Sequence, residues 1–158
     1  MIEQVCINTA LLEGAQEVFT TMISGNVEPC DSHQAIEGDS FLGSITFKGG
    51  LEGCLAMCCG DDCAKTIAAK MLAMDSSEEL SEEEICDAFG EVTNMIMGSV
   101  KARLQDTTGE ISISIPTVVR GRELQNSLGE GAHKTLIKVI FENEYLSELS
   151  ILYRENSE

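Results

Sequence analysis

The stretch Ser81-Glu-Glu-Glu-Ile-Cys-Asp-Ala-Phe-Gly-Glu-Val-Thr-Asn-Met-Ile-Met-Gly-Ser-Val-Lys101 reads as one long amphipathic helix. Ile85, Phe89, Val92 and Ile96 recur at spacings of four, three and four, which stacks them on one face. Asp87, Glu91, Asn94, Gly98 and Lys101 form the wet stripe opposite. Ser81 with Glu84 three residues later fits a capping box, which gives the helix a start. Glu82 and Glu83 suit its positive N-terminal end, and Lys101 and Arg103 its negative C-terminal end.

Glu91 and Asn94 lie three residues apart, so their side chains share a face and can reach one target together. The spacing itself is common: Glu123 and Asn126 repeat it in a stretch that reads as loop. The glycines set the helical copy apart. Glycine inside a helix costs about 1 kcal/mol against alanine, yet Gly90 and Gly98 bracket the pair. Gly98 lies on the polar stripe one turn beyond Asn94, where a side-chain-free patch suits close approach by a partner surface. Gly90 better fits tight packing against a sheet.

Asp87-x-x-x-Glu91-x-x-Asn94, followed by Pro116 in Ile111-Ser-Ile-Ser-Ile-Pro-Thr-Val-Val-Arg-Gly121, resembles the signature of the CheC/CheX/FliY phosphatases of bacterial chemotaxis. The run Gly-Glu-Val-Thr-Asn-Met-Ile-Met-Gly, residues 90–98, is closest to the CheX branch. The element order is compatible over nearly the whole chain, and the sharpest likeness spans residues 87–121. The resemblance implies an enzyme that dephosphorylates the CheY-type response regulator. Its Glu and Asn enter the regulator's active site. Glu91 and Asn94 are then the catalytic pair, with Asp87, Met95, Gly98 and Lys101 in contact with the partner.

The residue types suit that chemistry. Hydrolysis of an aspartyl phosphate is an in-line displacement by water, driven by positioning and charge stabilisation. The Asn94 amide offers a donor and an acceptor and can hold a water in line with phosphorus. By resemblance, Glu91 pairs with a lysine of the regulator and sets the docking register. The magnesium ion and the phosphorylated aspartate belong to the regulator, so the chain needs no metal or cofactor of its own.

The 158 residues give one domain, 1–158, with length enough for a core. No apolar run is long enough to cross a membrane, and the N-terminus lacks the pattern of a signal peptide. Seven cysteines without such a signal point to a reducing cytoplasm. A net charge of −17 disfavours nucleic acid and anionic membrane as partners. It favours a basic patch on a protein partner, or serves solubility alone. Tryptophan is absent and aromatics are few, so no stacking platform for bases is present.

Along the chain, residues 2–24 read as a helix with Val5, Leu12, Ala15, Phe19, Met22 and Ile23 inward. Residues 26–38 read as loop. Ser40 to Phe47 and Leu51 to Cys59 are strands joined at Lys48-Gly49-Gly50. Asp61 or Asp62 caps a helix through about Ala73, with Ile67, Met71 and Leu72 inward. Asp75 to Leu80 links to the long helix, 81–105. Glu110 to Ile115 reads as a strand that Pro116 ends or edges, with Thr117 to Val119 continuing extended. Arg120 to Ala132 reads as loop. Lys134 to Phe141 and Tyr145 to Arg154 form a hairpin through Glu142-Asn143-Glu144.

A faint repeat lays Glu13-Gly-Ala-Gln-Glu17-Val-Phe-Thr20 over Asp87 to Asn94. Thr20 stands where the first copy's Asn belongs, and a hydroxyl lacks an amide's reach, so one active site per chain is expected, on the second helix. Cys54, Cys58, Cys59 and Cys63 are dense but lack the paired Cys-x2-Cys spacing of zinc sites, and read as small buried hydrophobes. Alternation puts Cys54 and Cys58 on one strand face and Cys59 on the other. His33 and His133 each read as loop residues. Met95 and Met97 read as core, with Met95 able to edge a docking surface.

The expected fold is α+β and CheC-like, with long helices packed on a mainly antiparallel sheet made of β-hairpins. Helices 2–24 and 81–105 should lie side by side over one sheet face. The resemblance implies a homodimer through sheet edges, and the strand Leu146 to Tyr153 would otherwise leave a long edge exposed. The competing reading is a binding module that docks on a response regulator or flagellar motor without catalysis. A pure binder needs no amide at position 94.

Overall fold

The computed structural model describes residues 3–31, 34–74, 80–122, 124 and 131–155. Helix α1 (Gln4–Val18) runs on into a π-helical turn, Phe19–Ile23. Strands β1 (Val27–Pro29), β2 (Ser40–Gly49) and β3 (Leu51–Gly60) follow, then α2 (Asp61–Met71) and α3 (Glu82–Thr108). The chain ends in β4 (Ile111–Ile113), β5 (Thr117–Gly121), β6 (His133–Phe141) and β7 (Tyr145–Glu155). The seven strands form an antiparallel sheet in the order β1-β6-β7-β3-β2-β4, with β5 also on β2. The architecture is the expected α+β one.

The two hairpins turn where their sequences say. Gly49 adopts φ +153 between β2 and β3, and Glu142 and Asn143 both adopt φ 56 between β6 and β7. Two consecutive left-handed residues twist a turn in the hand that antiparallel strands need. Leu55, Met57 and Cys59 of β3 join Phe41, Ile45, Leu149 and Ile151 in the core beneath the helices. The alternate residues Cys54, Ala56 and Cys58 are also buried, because β3 is flanked on both sides by long strands. The parity expected for the three cysteines follows.

Helices α1 and α3 pack side by side. A Cβ on Gly14 of α1 would sit 3.1 Å from Val100 Cγ2 of α3, so glycine permits the close crossing. The buried face of α1 differs from the expected one. Ile7, Ala10, Leu11, Ala15 and Val18 point inward, whereas Val5 and Met22 are 65% and 49% exposed. The row from Ile7 to Val18 follows the 3.6-residue period, and Val5 lies on the far side of that cylinder. The π turn then adds a residue per turn, which carries Phe19 and Ile23 inward and Met22 outward.

Other boundaries also shift. The span 26–38 holds β1, which covers Val139 to Phe141 of β6. Three residues ending in Pro29 carry no period to read, and a proline is tolerated on an edge. Gly60, rather than Asp61 or Asp62, caps α2; both aspartates sit in its first turn, where they face the positive end of the dipole. The helix ends at Met71, so Leu72 turns outward with Ala73 in a left-handed bend. Helix α3 runs three residues further than expected, to Thr108, and stops at Gly109 with φ 80. Arg120 and Gly121 belong to β5, and His133 opens β6 rather than sitting in a loop. The strand β7 is no edge: it is paired along its length with β3 and β6. The expected link to Leu80 and the loop before Ala132 fall largely outside the described residues.

Candidate functional site

Helix α3 is fixed at its start by the capping box. The Glu84 amide donates to Ser81 Oγ at 3.1 Å, and the Ser81 amide donates to Glu84 Oε1 at 3.2 Å. Its inner face is buried throughout: Ile85, Ala88, Phe89, Val92, Ile96, Val100 and Leu104. Each large side chain taken from water in this way contributes about 1.5–3 kcal/mol. Two residues not legible as part of the site set the helix's rotation. Thr93 is fully buried and donates to the Phe89 carbonyl at 2.9 Å. On β2 below it stands Gly43, whose missing side chain leaves room for Thr93 Oγ1 and for the Phe89 ring.

With the inner face so held, the outer face presents the expected stripe. Asp87, Glu91 and Gly98 are exposed, and Asn94, Met95 and Lys101 are half-buried. Met97 is core, at no exposure. Among the described residues, Glu91 and Asn94 have no hydrogen-bond or ion-pair partner. A Cβ on Gly98 would meet nothing within 4 Å, so the helix surface there is open. Gly90 is the opposite case: a Cβ there would lie 3.3 Å from Val118 Cγ2 and 3.8 Å from Pro116 Cγ. The sheet edge thus runs close beside the helix.

That edge is broken in phase. Ser44 of β2 faces Thr117, while Phe47 faces Ile113. Three residues, Ser114 to Pro116, therefore oppose only Ile45 and Thr46, which makes a β-bulge. Thr46 and Ser114 close it: the Ser114 amide donates to the Thr46 carbonyl at 2.9 Å, and the Thr46 amide to Ser114 Oγ at 3.0 Å. Pro116 sits in the bulge, where no ladder hydrogen bond is asked of it. Beyond it, Arg120 lies over the Phe41 ring, 5.8 Å from its centroid. It is ion-paired to Asp61 and, at 3.3 Å, to Asp39. These partners raise its already high pKa, with Asp61 foremost.

The sequence model of the chemotaxis phosphatase CheX matches residues 41–139, which include α3 and the bulged edge. The chain belongs to the CheX family of chemotaxis phosphatases. The CheY-P phosphatase CheX of Thermotoga maritima is 29% identical over 112 residues, covering 71% of this chain and 72% of that protein. A CheC-like superfamily protein from Shewanella sp. PV-4 superposes with a TM-score of 0.77 at 25% identity, covering 96% of this chain and 99% of that one. The fold is also that of the CheX–CheY–BeF3–Mg2+ complex from Borrelia burgdorferi, with a TM-score of 0.76 at 20% identity over 98% of this chain and 100% of that one.

In this CheX-family chain the two helices of the faint repeat are used differently. Glu17 of α1 turns toward α3, accepting from Ser99 Oγ at 2.8 Å and pairing with Arg103 at 3.2 Å. The Ser99 and Arg103 donors hold its carboxyl below the ordinary range. Thr20 is exposed in the π turn. Glu91, by contrast, faces outward.

All seven cysteines are free, and no group of three or more His, Cys, Asp or Glu suited to a metal occurs among the described residues. Cys63 Sγ lies 3.5 Å from Ser147 Oγ, opposite Cys59 across the ladder. Burial pushes the Cys59 thiol up, and its hydrogen bond draws Cys63 down. His133 is exposed and lies against Tyr153, with ring centroids 5.3 Å apart. His33 lies outside the described residues.

Proposed function

We propose that this chain hydrolyses the aspartyl phosphate of a CheY-type response regulator by inserting Glu91 and Asn94 into the regulator's active site. The observation that carries this reading is the pairing of a carboxylate and an amide on the outer face of a helix whose inner face is locked into the core. Groups on a rigid element need no reordering at the moment of reaction. Asn94 holds the attacking water through its amide, and Glu91 pairs with a lysine of the regulator. Asp87, Met95, Gly98 and Lys101 meet the partner around them. The regulator supplies the phosphorylated aspartate and the magnesium ion, so the chain uses no cofactor of its own.

One active helix per chain follows from the engagement of Glu17 with Ser99 and Arg103 and from Thr20 in place of an amide. We also read the protein as a cytoplasmic homodimer joined through sheet edges. Because β7 is paired on both sides, by β3 and β6, it offers no edge for a second copy, and this reading rests on family membership. Sedimentation equilibrium tests it.

The deciding experiment follows aspartyl phosphate on a purified CheY-type regulator, with the wild type and with Asn94→Ala. Wild type should accelerate the decay, and Asn94→Ala should reduce kcat about 100-fold while leaving docking intact. Glu91→Ala should weaken both. Binding without acceleration by the wild type would reject catalysis in favour of a docking module.

A further inference from the structure

The thiols at the junction of β3 and α2 form a polar cluster inside the apolar core. Cys59 is the inward residue at the end of β3, and Cys63 is the third residue of α2, one tight turn later. Gly60 caps the helix between them. The Cys59 thiol donates a hydrogen bond to Cys63 Sγ, so the two sulfurs are in contact. Ser147 stands opposite Cys59 in the β3–β7 ladder, and its Oγ lies 3.5 Å from Cys63 Sγ. A cysteine serving only as a small hydrophobe needs neither contact. Cys54 and Cys58 are placed differently, since alternation turns them to the other face of β3.

The two thiols are not equivalent. Cys63 receives from Cys59 and from Ser147, and these donors draw it below the ordinary thiol value. Cys59 is fully buried, and burial pushes it well above that value. Cys63 is therefore the nucleophile of the pair and Cys59 the thiol held in reserve. Cys63 also has an approach. It lines a cleft of about 580 Å³ together with Asp61, Asp62 and Tyr145. The residue is only 3% exposed, so what reaches it must be small.

We infer that Cys59 and Cys63 are a peroxide-reactive dithiol that closes into a reversible disulfide. The Cys63 thiolate attacks one oxygen of hydrogen peroxide and the O–O bond breaks. Hydroxide leaves and takes up the proton that Cys63 gave up on ionising, which makes water. Cys59 then attacks the sulfur of the Cys63 sulfenic acid. The S–S bond forms, the S–O bond breaks, and the hydroxyl leaves as water with the Cys59 proton. The two sulfurs lose the two electrons that the peroxide gains. A disulfide needs Cβ atoms that face each other across a short gap, and sulfurs already in contact meet that need. Closing the bond shortens the contact to about 2.05 Å. The Gly60 turn has room to absorb the movement: a Cβ there would meet nothing within 4 Å.

The test treats the full-length native protein with hydrogen peroxide, quenches with catalase and then denatures it in N-ethylmaleimide. Digestion with trypsin and Asp-N cuts the chain at Asp61, so the peptides of Cys59 and Cys63 stay together only when bridged. The expected result is one bridged pair that fragments to Cys59 and Cys63, with Cys54 and Cys58 alkylated, and that dithiothreitol separates. Cys59→Ser should stop at a sulfenic acid on Cys63 that dimedone traps, and Cys63→Ser should give neither product. Alkylated Cys59 and Cys63 in peroxide-treated wild type would overturn the inference. So would a bridge from Cys63 to any other cysteine, or one that forms only in urea. The wild-type peptide map decides by itself, so a variant that fails to fold leaves the answer standing. None of these outcomes bears on the roles of Glu91 and Asn94.

Discussion

Thr93 of α3 occupies the space that a side chain at Gly43 of β2 would fill. The two residues lie far apart in sequence, yet together they fix how α3 is rolled on the sheet. A helix rolled by one residue turns through about 100°, which would carry Glu91 and Asn94 off their shared outward face.

Gly43→Ala should therefore act on fold and site at once. The new methyl would strike Thr93 Oγ1 and come within 3.1 Å of the Phe89 ring. A loss of about 1–3 kcal/mol is expected from such overpacking. Urea denaturation gives that number, and a phosphatase assay should show a further loss in the molecules that remain folded. Thr93→Ala added to Gly43→Ala should recover part of the stability, since residues in contact are not additive. Additive losses would place the strain elsewhere.

Gly98 should separate stability from docking. Its surroundings are open, so Gly98→Ala should stabilise the helix by about 1 kcal/mol. Gly98→Leu should keep most of that gain and still lose binding to an activated receiver. A leucine there that binds normally would mean the partner does not approach this part of α3.

The Glu17 contact predicts a pH dependence with a definite sign. Its folded pKa is lowered from an ordinary 4.5 by Ser99 first and then Arg103. The ionised form is the one the fold favours. The contribution is therefore complete above the unfolded value and is lost as pH falls through the folded one. Wild type should exceed Glu17→Gln in urea midpoint at pH 6, and the gap should shrink as pH falls below 4.5 and on through the lowered folded value. Because Glu17 is exposed, added salt should narrow the gap at pH 6 as well. A gap that widens in acid would contradict the assignment.

Thiol chemistry offers a simple probe of the core. Cys6 is exposed, whereas Cys54, Cys58, Cys59 and Cys63 are buried. Iodoacetamide should modify Cys6 in the native protein within the time the other four need denaturant to react. Mass spectrometry after tryptic digestion reads both. Early labelling of Cys63 would show that the start of α2 opens.

The sequence revealed α3 and both of its faces, because a long amphipathic period and a capping box fix its start and its phase together. The hairpins were equally legible from Gly49-Gly50 and from Asn143, whose conformations the turns require. The inward face of α1 was not: Val5, Leu12 and Met22 make one plausible row and Ile7, Leu11 and Val18 another, and only packing on α3 and the sheet selects between them. Pairing of β7 with β3 joins strands remote in sequence, and hairpin chemistry speaks only of neighbours. Pro116 announced an interruption, but the extra residue shows only against β2. Within the site, Glu91 and Asn94 were visible as a helical face. Thr93, Gly43 and the Arg120 cluster depend on partners distant in the chain, and no local pattern signals them.

The bulge at Ser114 to Pro116 also decides what this sheet can be joined to. An incoming strand that bonds to one half of the β4–β5 rim arrives one residue out of step with the other half, and Pro116 offers it no amide. Such a rim is a poor template for strand addition. At the opposite rim β1 pairs with Val139 to Phe141 of β6 in unbroken register. The same irregularity keeps the β4–β5 side of the molecule from being sealed by a neighbouring sheet.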